Sequence, residues 1–174
     1  PGDWVCHPAP STFSRAAARL GWRLEDVHCF GLHAAPFEQT LPVLTRGQRL
    51  ICLMRDGAAV GKMAAWLTAR GFGASDLSVL ESLGGPRERL RSVVADQCNL
   101  TDVAHPVAIG ITVGGAKGLP RASGLPDDLF LSDGVMTKRP IRALTLSALA
   151  PRAGEVLWDL GAGSGSVSVE WCLA

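Results

Sequence analysis

Charge is scarce in this chain. Acidic and basic side chains make up 19% of its 174 residues and nearly cancel, to a net +1. No block of lysine and arginine concentrates the excess, so a nucleic-acid partner is not expected. No apolar run approaches the length that spans a bilayer, so no membrane partner is expected either. A signal peptide is not visible from Pro1 onward, which a cut start would also produce. Cys6, Cys29, Cys52, Cys98 and Cys172 include no Cys-x-x-Cys pair. An odd, unclustered set fits reduced, mostly buried thiols in the cytoplasm better than disulfides or a metal site. His7, His28, His33 and His105 are equally dispersed, and no metal site is expected. Internal repeats and low-complexity tracts are lacking as well.

What is abundant is apolar surface. Hydrophobic residues make up 47% of the chain, ample for a packed core. The length allows one domain, or one domain and part of another. Trp4-Val5-Cys6 reads as the end of a strand. Ser11 is a good N-cap, and Thr12 to Leu20 reads as a helix closed by Gly21. Strands are expected at Val27–Leu32, Arg49–Met54, Leu77–Glu81 and Val107–Val113. Short and long helices are expected at Leu41–Leu44 and Ala58–Arg70. The pattern over Arg87–Ala95 suits helix or strand. Alternating strands and helices from Trp4 to Val113 predict an α/β domain with a largely covered sheet. The glycine-rich stretch from Gly114 to Gly124 has no period and is the best candidate linker. Beyond it, a helix capped by Thr137 or Lys138 carries Ile141, Leu144, Thr145, Ala148 and Leu149 on its apolar side, and Pro151 stops it.

One later stretch carries chemistry. Val156-Leu157-Trp158 reads as an apolar strand that Asp159 ends. Gly161, Gly163 and Gly165 follow at alternate positions, and a helix is expected from about Ser166. This strand–loop–helix grammar belongs to nucleotide-type cofactor sites, where the free N–H groups of the helix start face the ligand. The dinucleotide fingerprint wants its third glycine at the sixth loop position, and that position is Ser166. A nicotinamide cofactor is therefore disfavoured relative to S-adenosylmethionine. A ligand-free glycine turn is the bland alternative. In a doubly wound domain the acidic residue that holds the ribose lies about 20 residues beyond the first loop. The chain stops at Ala174, so it reads as a fragment of something longer.

Two stretches together resemble known families. Gly124-Leu125-Pro126-Asp127-Asp128-Leu129-Phe130, then Gly134-Val135-Met136-Thr137-Lys138, then Leu157 to Ser166, resemble the opening of the decarboxylating methyltransferase domain of cobalamin biosynthesis. Asp-x-Gly-x-Gly-x-Gly is similar to motif I of class I S-adenosylmethionine-dependent methyltransferases. Pro8 to Ser14, Ala16 to Trp22, Arg70 to Gly73 and Leu83 to Arg89 resemble the C-terminal lobe of a tetrapyrrole methylase. The two domains occur fused in this order in enzymes acting on precorrins. The resemblance implies an α/β fold: a tetrapyrrole-methylase C-terminal lobe (residues 1–114), a linker (115–124) and the first elements of a Rossmann-like class I methyltransferase domain (125–174). It implies S-adenosyl-L-methionine as cofactor, a tetrapyrrole substrate, methylation at carbons 5 and 15 and decarboxylation of the carbon-12 acetate. A homo-oligomer is implied for the complete protein, and inactivity for this fragment alone. A noncatalytic α/β module that binds or dimerises is the alternative.

By the same resemblance, Gly161, Ala162, Gly163, Ser164 and Gly165 would lie against the cofactor, with Asp159 fixing the loop. Thr137 matches a position beside the cofactor, where its hydroxyl would meet the methionine end; a plain helix cap is the other reading. Lys138, Arg139 and Arg142 sit at one helix start, and a substrate carrying several carboxylates would favour such cations. Arg87, Arg89 and Arg91 alternate along a second candidate site. Ser11 matches a turn near the tetrapyrrole-methylase cleft, and His33 falls where that family often has Leu-His-Gly. No catalytic acid or base stands out.

Overall fold

A computed structural model describes residues 4–174. Its contacts divide the chain into two compact units, the first ending at Gly118 and the second spanning Leu119–Ala174.

The first unit is built on a five-stranded mixed sheet. Its strands are β1 (Val27–Gly31), β2 (Arg49–Leu53), β3 (Asp76–Glu81), β4 (Arg89–Val94) and β5 (Val107–Thr112), in the spatial order β1-β2-β5-β3-β4. Only β1 and β2 run parallel; the other pairings are antiparallel. Side chains alternate between the two faces, as strand pleating requires. Leu50, Cys52, Leu77, Val79, Ile109 and Ile111 pack on one face with α2 (Gly57–Ala69), which contributes Val60, Met63, Ala64 and Leu67. Ile51, Leu80 and Ala108 point the other way, toward Ala16 and Ala17 of α1 (Thr12–Leu20). Burial of Cys52 pushes its thiol up to about 12, so it serves as a small apolar side chain. Gly110 leaves room on the α1 face: a β-carbon there would lie 2.5 Å from Leu20 Cδ1, and the leucine would have to shift. That close approach lets α1 and Trp22 cover the sheet.

The ends of α1 follow its sequence. Ser11 Oγ accepts the Ser14 N–H at 3.1 Å, and Gly21 takes the left-handed conformation. Ser11→Ala is expected to cost about 1 kcal/mol through the lost cap, read as an earlier urea midpoint. An unchanged midpoint would show that the cap is dispensable. Residues 4–10 form no strand, contrary to the sequence expectation; Trp4 and Val5 are exposed and unpaired with the sheet. The 37–44 segment is a 3-10 turn over Phe37–Val43, and Pro42 inside it removes an α-helical donor. Arg87–Ala95 resolves as β4, because antiparallel pairing sets Leu90 opposite Leu80 and Arg89 opposite Glu81.

The second unit holds α3 (Arg139–Leu149) and α4 (Ser166–Leu173). Its interior is small and partly polar: Leu125, Leu146, Ser166, Arg142 and Glu170. Val156–Leu160 is not a strand here. Trp158 is 83% and Leu160 92% exposed. A strand needs neighbours for its N–H and C=O groups and its apolar face, and among the described residues none pairs with this one. No helix among the described residues is long and apolar enough to cross a membrane.

Candidate functional site

The glycine loop sits between Asp159 and α4. Gly161, Gly163 and Gly165 all have positive φ, at 80°, 56° and 68°. These are left-handed conformations that glycine adopts without strain. Space around the three is open, so backbone shape rather than crowding calls for glycine. Gly165 N–H closes a turn onto the Ala162 carbonyl at 2.9 Å. Gly165 is also the cap of α4 and offers no side chain to its first turn. The first N–H groups of α4 therefore have no side-chain partner, and the positive end of the helix faces the loop. Asp159 accepts the Ser168 hydroxyl from α4, which ties the start of the loop to the helix after it.

Thr137 and Lys138 are exposed, just ahead of α3. Lys138, not Thr137, is the N-cap residue, and its Nζ donates to the Gly134 carbonyl at 3.0 Å. Arg142 departs from its expected place at a substrate surface. It is 0% exposed. Nε donates to Glu170; Nη1 donates to Asp127 at 2.9 Å and to the Thr137 carbonyl; Nη2 donates to the Leu125 carbonyl. The guanidinium lies 4.5 Å above the Phe130 ring. With four of its five N–H donors committed inside the unit and no exposed surface, Arg142 does not face a substrate.

Glu170 is the residue that sequence reading missed. It is 4% exposed, and its carboxylate also accepts the Gly124 and Leu125 N–H groups at 2.6 and 2.9 Å. Burial pushes its pKa up, but the bonds from Arg142, Gly124 and Leu125 outweigh that and hold it below the ordinary range. A lone glutamate on α4 gave no signal, because its partners lie 28 to 46 positions away.

In the first unit, Thr12 borders a cleft of about 150 Å³ with Leu53, Leu80, Leu83, Pro106 and Val107. These residues sit where β2 and β3 end and β5 begins. Ser11, next in the chain, has its hydroxyl engaged as the α1 cap. His33 lines a separate cleft of about 580 Å³ with Arg55 and Lys62, at the start of α2. Arg89 and Arg91 are committed to Glu81 and Asp102. The hydrogen bonds from Arg91 and Arg89 bring the Asp102 carboxyl down to about 2. Among the described residues, no three His, Cys, Asp or Glu side chains gather as a metal site.

Comparison with known proteins then decides the relationship. A precorrin-6Y C(5,15)-methyltransferase [decarboxylating] from Sinorhizobium sp is 48% identical over 171 residues, 96% of this chain and 41% of that protein. The chain is a homologue of the precorrin-6Y C(5,15)-methyltransferases. One of these from Mycobacterium tuberculosis is 42% identical over 95% of this chain and 42% of its own length. The chain thus spans about two fifths of the curated relatives it matches. A family profile described as a precorrin methyltransferase domain matches residues 128–174, which hold Thr137, the glycine loop, Arg142 and Glu170. A precorrin-6Y methylase structure from Archaeoglobus fulgidus is 24% identical, with a TM-score of 0.42, over 58% of this chain and 44% of that one.

Proposed function

We propose that the protein carrying this chain is an S-adenosylmethionine-dependent methyltransferase of cobalamin biosynthesis. It methylates a precorrin at carbons 5 and 15 and decarboxylates the carbon-12 acetate. The observation that carries the reading is the glycine loop: three left-handed glycines leading into a helix with no side-chain cap, in a chain 48% identical to a named precorrin-6Y methyltransferase. In this reading residues up to Gly118 form a tetrapyrrole-methylase lobe, and Leu119–Ala174 opens the class I methyltransferase domain.

The residues present fit the cofactor. The open side of Gly161–Gly165 leaves backbone room for the methionine and ribose part, and the N–H groups at the start of α4 suit a carboxylate. The exposed Thr137 hydroxyl supplies a further hydrogen bond to the methionine end. Asp159 holds the loop against α4 through Ser168 rather than touching ligand. When bound, the cofactor supplies an already activated sulfonium methyl. The chain's task is then placement, holding the methyl in line with a ring carbon, which needs no strong protein nucleophile. Lys138 is an exposed cation on the same segment and suits the substrate's carboxylates.

Taken alone, this chain is expected to be inactive, because Val156–Leu160 lacks the sheet that would support the loop. The complete protein is expected to be cytoplasmic and homo-oligomeric. Of the five thiols only Cys52 is buried, contrary to the sequence expectation that most lie inside; Cys6, Cys29 and Cys172 are exposed. The test is calorimetric titration of S-adenosylhomocysteine into the complete protein and its Gly163→Val form. Valine disfavours the positive φ, and its side chain would fill the open space left for the cofactor. Binding at one site should weaken at least tenfold. Identical isotherms would move the cofactor out of this loop.

A further inference from the structure

Buried charge is unusual in so small an interior, and here it joins four separate segments. Glu170 stands in the second turn of α4, directly after the glycine loop. Its carboxylate grips the backbone N–H groups of Gly124 and Leu125 and the Arg142 guanidinium of α3. Arg142 in turn holds the Leu125 carbonyl, the Asp127 carboxylate and the Thr137 carbonyl. A buried ion pair is a poor source of net stability, because apolar side chains of similar volume often serve as well. What it provides is direction. Each of these bonds fixes an angle as well as a distance, which apolar packing does not.

We propose that the Arg142–Glu170 pair is a positioning device that sets the glycine loop and Thr137 in one register for the cofactor. The mechanical path is short. Thr137 hangs from Arg142 by its own carbonyl, and the loop leads directly into the helix that carries Glu170. Rotating α4 by one residue would withdraw Glu170 from all three donors and swing the loop away. Asp127 steadies the same node: its carboxylate also accepts the Arg139 N–H at 3.1 Å, at the start of α3. Neither Arg142 nor Glu170 touches ligand. The inference rests on the reading that this loop holds S-adenosylmethionine.

The experiment uses the complete protein and S-adenosylhomocysteine as probe. Gly163→Val first identifies which component of the isotherm belongs to the loop. The paired substitution Arg142→Met with Glu170→Leu keeps volume and removes direction. Its fold, read by near-ultraviolet circular dichroism and melting temperature, should remain. Its loop component should weaken about tenfold, the scale on which residues supporting a ligand site act, with the number of sites unchanged. Glu170→Gln is the milder variant and should weaken binding in the same direction. Should the paired variant not fold, Glu170→Gln decides by the same split. A merely structural role predicts fewer active sites at an unchanged dissociation constant, and that result overturns the proposal. So does a folded paired variant that binds normally. If Gly163→Val leaves every component intact, the cofactor reading itself falls, which is a distinguishable failure.

Discussion

Arg142→Met alone should destabilise the second unit by about 3–5 kcal/mol, the usual cost of removing one partner of a buried ion pair. The physical cause is Glu170, left as a buried carboxylate with only the Gly124 and Leu125 N–H groups to hold it. It can escape by taking up a proton. With an ordinary pKa of 4.5, protonation at pH 7 costs about 3.4 kcal/mol, at 1.36 kcal/mol per pH unit, so the penalty settles near the lower end of that range. This sets a pH signature. In the unsubstituted protein the folded pKa of Glu170 is depressed, so its contribution is complete above the ordinary carboxylate range and is lost as pH falls through the folded value. In Arg142→Met the folded pKa is raised, so acid relieves the mutant. The gap between the two proteins should therefore narrow from pH 7 to pH 5. Hydrogen exchange of the Gly124 and Leu125 amides reads it locally, because both are bonded to Glu170. A gap that is constant or widens toward pH 5 would mean that Glu170 is not the stranded charge. Adding Glu170→Leu to Arg142→Met should recover most of the loss.

The same residue shows where sequence reading reaches its limit. Arg142 sits near a helix start beside Lys138 and Arg139, and local pattern makes all three a solvated, cationic end. Contacts with Glu170, Asp127, the Leu125 and Thr137 carbonyls and the Phe130 ring bury it, and none of these is encoded in helical spacing. By contrast, Ser11 and Gly21 marked α1 correctly because caps act within a few residues. The apolar run Arg49–Met54 marked β2 because burial on both faces erases alternation. Arg87–Ala95 stayed ambiguous because Arg89, Leu90, Arg91 and Ser92 alternate weakly; pairing with β3 settles it. Val156–Leu160 has strand composition, yet composition supplies no neighbouring strand. The glycine-rich stretch behaved differently at its two ends. Ala116 donates to the Gly71 carbonyl in the first unit, while Gly124 is held by Glu170 in the second. Glycine content alone does not separate a tether from a pinned segment.

Glu81→Ala is the second large effect, expected at about 2–3 kcal/mol, below the range for fully buried pairs. Glu81 is 0% exposed at the end of β3. It accepts from Arg89, from Arg91 and from the Ala104 N–H at 2.7 Å. Alanine would strand that N–H and remove the carboxylate that neutralises two guanidinium groups. The cost is moderated because Arg89 and Arg91 keep Asp102, and Arg89 is partly open to water. Burial pushes the Glu81 carboxyl up, but the Arg89, Ala104 and Arg91 hydrogen bonds prevail, and its pKa ends below the ordinary range. Its contribution is therefore whole at neutral pH and disappears as pH drops through the lowered folded value. Urea unfolding followed by tryptophan fluorescence should show a wide gap between Glu81→Ala and the parent at pH 7. As the pH is taken below the ordinary carboxylate range, that gap should shrink. Glu81→Gln should fall between them, since an amide oxygen still accepts from Ala104 while the charge is gone. If Glu81→Gln matches the parent at pH 7, the carboxylate charge contributes nothing and hydrogen bonding alone holds β3, β4 and the segment before β5 together. The position matters beyond stability, because β3 runs directly into Leu83, and the cleft formed by Leu80, Leu83 and Val107 depends on where that strand ends.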